Sequence, residues 1–324
     1  MELLKRHVIT IATGKKIYLE MATNLARSFF YWHKESDISF QLVTDLQQFI
    51  PAEIKDKIEV ISIKPDEYGE GFLPKISLDH FVSEGQTLFI DSDCLIFGNL
   101  DSVFKKFKGH SVSVIGKYIS DGEWFGDVAG ICKKFNVPHY PKFNGGIYYL
   151  EKGILASKVY EKARELEKDY EKIGFVKFRK QSADEVLMAL AMQLYDQSPI
   201  PDDGTILSDP QCCQGKYAVD IISGATQLNN PPYPNKLHQS WYPFTTVSPL
   251  IVHFLGHHSE HFPYKTEVFR IKKAFNNQIG LFTDLSGEIL VHVPMLILKF
   301  LKDTLRPLYR LTIGTRSVKQ SKRI

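Results

Sequence analysis

Leu88-Phe89-Ile90-Asp91-Ser92-Asp93-Cys94-Leu95-Ile96-Phe97 places two carboxylates around one small residue, with an apolar run on either side. Leu88, Phe89 and Ile90, close after Gly85, read as a short buried strand. Carboxylates at the end of such a strand are costly unless paired or bound to a cation. A bend at Ser92 can turn Asp91 and Asp93 toward one point, where their oxygens could hold a hard divalent ion. The competing reading is a plain turn, because Asp-Ser-Asp suits strand ends. The apolar runs on both sides put the site reading on an equal footing with the turn.

Working outward, residues 8–12, 38–43, 58–63 and 111–115 also read as strands, and 16–33 as a helix with Leu19, Ala22, Ala26, Phe29 and Phe30 near helical spacing. Pro74 opens a short helix whose inner side is Ile76, Leu78, Phe81 and Val82. Strands alternating with helices predict an α/β chain with a mainly parallel, Rossmann-like sheet covered on both faces. In such sheets ligands bind beyond the carboxyl ends of the strands. Three polar strand ends gather there: Ala12-Thr13, Thr44-Asp45 and Asp91-Ser92-Asp93.

Farther along, 118–142 shows no period and reads as a long loop, 143–150 as a strand, 154–173 and 182–195 as helices, 223–249 as loop and 250–254 as a strand. Three further motifs stand on these elements. Phe143-Asn144-Gly145-Gly146 pairs an amide with two glycines that allow close approach of a ligand or another backbone. Asp184 and Glu185 open a helix for which Ser182 is the expected N-cap; they either complement the helix dipole or face a ligand's hydroxyls. His253 ends a strand and leads into Leu255-Gly256-His257-His258, so it could complete an Asp-Asp-His set.

With 324 residues, 44% of them hydrophobic, the chain can build one large domain, or one with an appendage. A net charge of +3 does not suggest a nucleic-acid binder. Cys94, Cys132, Cys212 and Cys213 form no C-x-x-C pair, which predicts reduced thiols and a cytoplasmic setting. The first ten residues lack the apolar core and cleavage site of a signal peptide. The charge is uneven: from Lys299 to Ile324 there are eight Lys or Arg and one acid. Residues 289–301 are apolar but interrupted by His292, Pro294 and Lys299, too short to span a bilayer. An apolar stretch with a cationic flank predicts a segment lying on the inner, anionic face of a membrane; a core helix with a basic end is the alternative.

Taken in order, Lys75, Phe89-Ile90-Asp91-Ser92-Asp93, Gly98-Asn99-Leu100, Phe143-Asn144-Gly145-Gly146, Asp184-Glu185 and His253-Phe254-Leu255-Gly256 resemble the nucleotide-sugar glycosyltransferases of the GT-A fold, family 8 in particular. The resemblance covers residues 8–256. It implies a transferase domain over 1–265, followed by an extension over 266–324. It implies Mn²⁺ (or Mg²⁺) held by Asp91, Asp93 and His253 against the diphosphate of a nucleotide-sugar donor. It also implies Ala12, Thr13 and Tyr18 near the base, Lys75 near the donor sugar or phosphates, and Ser92, Gly256 and His257 among the donor-binding residues, with His257 or His258 taking the phosphate contact or the clamp being weaker. Asn144, Gly145, Asp184 and Glu185 would then surround the transferred sugar, with a saccharide or lipid-linked acceptor beyond. One departure matters: where the family has a Lys-Pro-Trp run after His-x-x-Gly, this chain has Ser259-Glu260-His261. Two alternatives remain at this point, a sugar-nucleotide nucleotidyltransferase and a non-catalytic nucleotide-sugar binder. The first would want a Gly-rich basic loop after the first strand, of which Thr13-Gly14-Lys15-Lys16 is a fragment.

Overall fold

The apolar runs at the front of the chain assemble side by side. β1 (Arg6–Ile11), β2 (Ile38–Thr44), β3 (Glu59–Ser62) and β4 (Gln86–Ile90) pair in parallel, in the spatial order β3-β2-β1-β4. The computed structural model describes residues 4–278, 280 and 286–314. After β4 come β5 (Cys94–Ile96), β6 (Val112–Ser113), β7 (Ile115–Ile119), β8 (Tyr140–Phe143) and β9 (Ile147–Glu151). β9 adds antiparallel to β4, and β6 antiparallel to β9, which completes a six-stranded sheet.

Alternation along the central strands distributes side chains between two layers. Val8, Leu88 and Ile90 pack with Leu19, Leu25 and Phe29 of the helix Lys16–Trp32 on one face. Ile9, Phe89 and Tyr148 pack with Val186, Leu187 and Leu190 of the helix Asp184–Leu194 on the other. β4 is buried at every position, and its last three residues, Leu88, Phe89 and Ile90, form a continuous apolar run. Each large apolar side chain taken out of water contributes roughly 1.5–3 kcal/mol. The sandwich of sheet between two helical layers therefore holds the strand ends in fixed relation.

Several expectations need correction. The expected loop 118–142 contains the end of β7, the helix Val128–Phe135 and most of β8. The Asp127 side chain caps that helix by accepting from Gly130 N at 3.1 Å, Asn136 closes it in the left-handed region, and Val128, Ile131 and Cys132 face the core. Two turns give too few repeats for a period to show. The strand expected over 111–115 is two strands, and that over 143–150 begins only at Ile147, after a turn at Asn144-Gly145-Gly146. Ser182 does not cap its helix: Ala183 holds the cap position, and the Ser182 hydroxyl donates to Glu167 at 3.2 Å. The expected loop 223–249 carries the strands Ala225–Asn229 and Thr246–Val247, which pair antiparallel in a small sheet with Tyr217–Asp220. The helix Tyr264–Phe275 runs through the boundary expected at residue 265 and buries Val268 and Ile271 in a third core cluster.

The helix Val293–Ile313 follows. Leu296, Ile297, Phe300, Leu301, Leu305 and Leu308 are exposed on it. Lys299, Lys302, Arg306 and Arg310 recur at three- and four-residue spacing, hence along one stripe. Among the described residues no helix is long and apolar enough to cross a membrane. The basic residues Arg316, Lys319, Lys322 and Arg323 lie outside the described residues.

Candidate functional site

β4 ends at Ile90, and the chain turns at once. Asp91 N donates to Gly146 O at 2.9 Å and Cys94 N to Asp91 O at 3.0 Å, so Asp91 to Cys94 form a tight turn into β5. β5 pairs antiparallel with the strand Ile251–His253, with Cys94 opposite His253 and Phe254 N donating to Asp93 O at 2.9 Å. This register delivers His253 to the carboxylates: its Nε2 lies 3.0 Å from Asp93 Oδ1 and 3.8 Å from Asp91 Oδ2.

Asn144 fixes the other ring nitrogen. Its Oδ1 accepts from Gly146 N at 2.9 Å, and its Nδ2 donates to Asp209 Oδ2 at 3.0 Å. Oδ1 also stands 2.9 Å from His253 Nδ1. Because the amide nitrogen is committed to Asp209, Nδ1 of His253 must be the donor, which aims Nε2 at Asp93. Burial alone would lower the His253 pKa; the Asp93 charge and hydrogen bond, with Asp91 behind them, outweigh it and raise it to about 9. Gly146 is required here: a Cβ would stand 2.7 Å from His253 Nδ1.

Lys75 closes the corner from the short helical turn Leu73–His80. Its Nζ lies 2.6 Å from Asp91 Oδ2, 3.7 Å from Asp184 Oδ2, and donates to Gly145 O at 3.1 Å. Burial opposes its charge, but Asp184 and Asp91 hold the ammonium pKa above its ordinary value. Asp184 also accepts from the Tyr148 hydroxyl, and Glu185 from Gly145 N at 2.6 Å. Burial, with the Asp184 charge beside it, pushes Glu185 up to about 7.

Thus Lys75, Asp91, Asp93, Asn144, Gly145, Asp184, Glu185 and His253 meet in one corner. Ala12 and Thr13 stand at the same sheet edge but at the end of β1, with Ala12 tied to β2 through Val43 O (2.9 Å) and the Thr44 hydroxyl (2.7 Å). Tyr18 lies one turn into the following helix, and Ser92 is buried within the Asp-Ser-Asp turn. Gly256 and His257 line a cleft of about 690 Å³. That cleft opens past the ends of the strands Leu207–Ser208 and Ile251–His253, which pair in parallel and leave the sheet in the same direction. Pro210, Gln211, Cys213, Tyr217, Leu255 and His258 also line it. Its size is within the range of small-ligand sites, about 300–1,000 Å³.

No protein-family model and no curated protein matches the sequence. Solved structures do match. The galactosyltransferase LgtC, solved with donor and acceptor sugar analogues, superposes with a TM-score of 0.55 at 12% identity, over 85% of this chain and 97% of LgtC. This is a GT-A-type fold. GlyE, a glycosyltransferase of Streptococcus pneumoniae TIGR4, matches at 0.42 and 16% identity over 62% of this chain, which spans 45% of GlyE. Mouse xyloside xylosyltransferase 1 matches at 0.41 and 13% identity, over 63% of this chain and 87% of that one.

In this GT-A-type frame the corner is chemically suited to a divalent cation. Ligating atoms of Asp93, Cys94 and His253 lie within 4.8 Å of one another, and Asp91 adds a carboxylate on the Lys75 side. Sequence reasoning missed Asp209, which anchors Asn144, and Tyr148, which holds Asp184. Asp209 carries a faint signal, an acid before Pro210, but its strand is only two residues long and shows no period.

Proposed function

We propose that this chain is a metal-dependent glycosyltransferase, moving a sugar from a nucleotide-diphosphate sugar to a saccharide or lipid-linked acceptor. A UDP-sugar is the favoured donor, by the family 8 resemblance. The observation that carries the reading is the convergence of Asp91, Asp93 and His253 on one corner beside a cleft at the sheet edge. These three residues would hold Mn²⁺ or Mg²⁺, which when bound neutralises charge on the departing diphosphate. Asn144 orients His253. Lys75 keeps positive charge beside Asp91 and Asp184, where a phosphate oxygen or sugar hydroxyl would arrive. Asp184, Glu185 and Gly145 offer acceptors and a donor to the transferred sugar. Ala12, Thr13 and Tyr18 are assigned to the base by position on the β1 edge. With family 8 chemistry, the anomeric configuration is retained.

A screen of UDP-, GDP- and CMP-sugars with Mn²⁺ tests this. The expected result is slow donor hydrolysis with one nucleotide, lost on chelation. Pyrophosphate release from a nucleoside triphosphate and a sugar phosphate would instead identify a nucleotidyltransferase. Donor binding without turnover, acceptors included, would leave a binding protein.

The reading extends to location. The basic stripe and apolar surface of the helix Val293–Ile313 suit an anionic bilayer on the cytoplasmic side, where the unbridged Cys94, Cys132, Cys212 and Cys213 fit. Each Lys or Arg at such a surface contributes about 1 kcal/mol, screened by salt. The full chain should co-sediment with phosphatidylglycerol vesicles at low salt, and poorly at high salt or with phosphatidylcholine alone. Ile297→Glu with Phe300→Glu, both exposed sites, should abolish it. Equal pelleting of the double variant and the parent sinks the membrane reading and leaves the enzymatic one standing.

A further inference from the structure

The cleft lined by Leu255 and Gly256, just after His253 in the chain, lacks the lysine expected after His-x-x-Gly, since Ser259-Glu260-His261 stand there. We propose that Arg179, reaching the cleft from a separate hairpin, binds the diphosphate of the donor; this rests on the donor reading above.

Beside the neutral Cys213 and Tyr217, whose pKa values burial raises, the cleft is lined by Arg179, His257, His258 and Glu260. His258 is pressed against His257, ring centroids 4.1 Å apart, and burial with that neighbour lowers its pKa to about 4. It is therefore a neutral imidazole at physiological pH. Glu260 repels an anion. Arg179 is the permanent cation of the cleft, and among the described residues it has no carboxylate partner.

Its placement is built. Phe178 and Gln181 exchange backbone hydrogen bonds, 2.9 Å each, around Arg179 and Lys180. Both central residues have positive φ, 53° and 70°. Such two-residue turns ordinarily take Asn and Gly, so the chain carries two long cationic side chains at positions that disfavour them. The hairpin is pinned by Phe178, whose ring lies 6.2 Å from Phe72 and 5.9 Å from Phe125. The Arg179 guanidinium rests 4.8 Å above that same ring. Phe72 belongs to the segment that carries Lys75. The hairpin thus spans from the Lys75 side of the corner to the cleft beyond Gly256. A guanidinium held on an aromatic face keeps its fork of N–H donors free for phosphate oxygens, which it meets in pairs where a lysine meets one.

The test is equilibrium binding of UDP and of uridine, with Mn²⁺, to the full chain and to Arg179→Gln and Arg179→Lys. Arg179→Gln should weaken UDP about tenfold, about 1.4 kcal/mol, and leave uridine within about twofold. Arg179→Lys should fall between. The side chain is at the surface, so melting temperatures should coincide. Equal UDP affinity for Arg179→Gln and the parent overturns the proposal while the donor reading survives. A parallel loss for uridine also overturns it, because it marks a structural role. If the parent binds neither UDP nor GDP, the donor reading fails and this proposal with it.

Discussion

Asp93→Ala should cut sugar transfer about a thousandfold, about 4 kcal/mol at the transition state, with no change in far-UV circular dichroism or melting temperature. The carboxylate lies 3.0 Å from His253 Nε2, whereas Asp91 and Asp184 face Lys75. On the proposed metal reading, its loss removes a charged ligand while Asp91 stays paired. The fold should not notice, because the bond that joins β5 to the strand Ile251–His253 uses the backbone oxygen of residue 93, which alanine keeps. The assay is kcat at saturating donor and Mn²⁺. A variant within threefold of the parent would show that Asp93 has no part in the chemistry.

Lys75→Met should be the most destabilising single change at the site, by about 3–5 kcal/mol at pH 7, because it leaves buried carboxylates without their counter-charge. Lys75 and Asp184 are almost fully enclosed, and Asp91 largely so. The loss should shrink toward pH 5. Glu185 already has its folded-state pKa pushed to about 7, above its ordinary value, and losing the ammonium pushes it further. A carboxyl raised in the folded state favours folding at low pH, and that contribution is lost as pH rises through the raised value. Urea unfolding at pH 5 and pH 7 reads both effects. A variant as stable as the parent at pH 7 would mean that water reaches these carboxylates.

What was legible in the sequence was whatever repeats. Residues 88–90 are an unbroken apolar run, 8–12 are apolar except for Thr10, and the helix at 16–33 has enough turns to show its period; all three stand close to where they were expected. The helix Val128–Phe135 escaped because two turns do not make a period, although Asp127 and Asn136 mark its ends. Ser182 looked like a cap and is not one, because Glu167 competes for its hydroxyl from another helix, a contact no local window contains. The corner follows the same rule. Asp91 and Asp93 are visible as a pair, and His253 as a strand end. Asn144 is visible beside its glycines, but its partner Asp209 and the hairpin bearing Arg179 are joined to the site only by the folded topology.

The pairing of β5 with the strand Ile251–His253 has a consequence for the order in which the molecule can be completed. The imidazole and the amide that orients it are 109 residues apart in the chain, while Lys75 and Gly145 are 70 apart. Contacts that close such long loops carry a larger entropic penalty and form late. As the chain emerges, Asp91 can find Lys75 long before His253 exists, so Asp91 has a counter-cation from the start while Asp93 waits for the imidazole. The ligand set becomes complete only once the last strand docks. On the proposed metal reading, full affinity for a divalent ion is then a property of the finished chain, and a fragment that stops short of His253 keeps Asp91 capped by Lys75 but lacks the imidazole that faces Asp93.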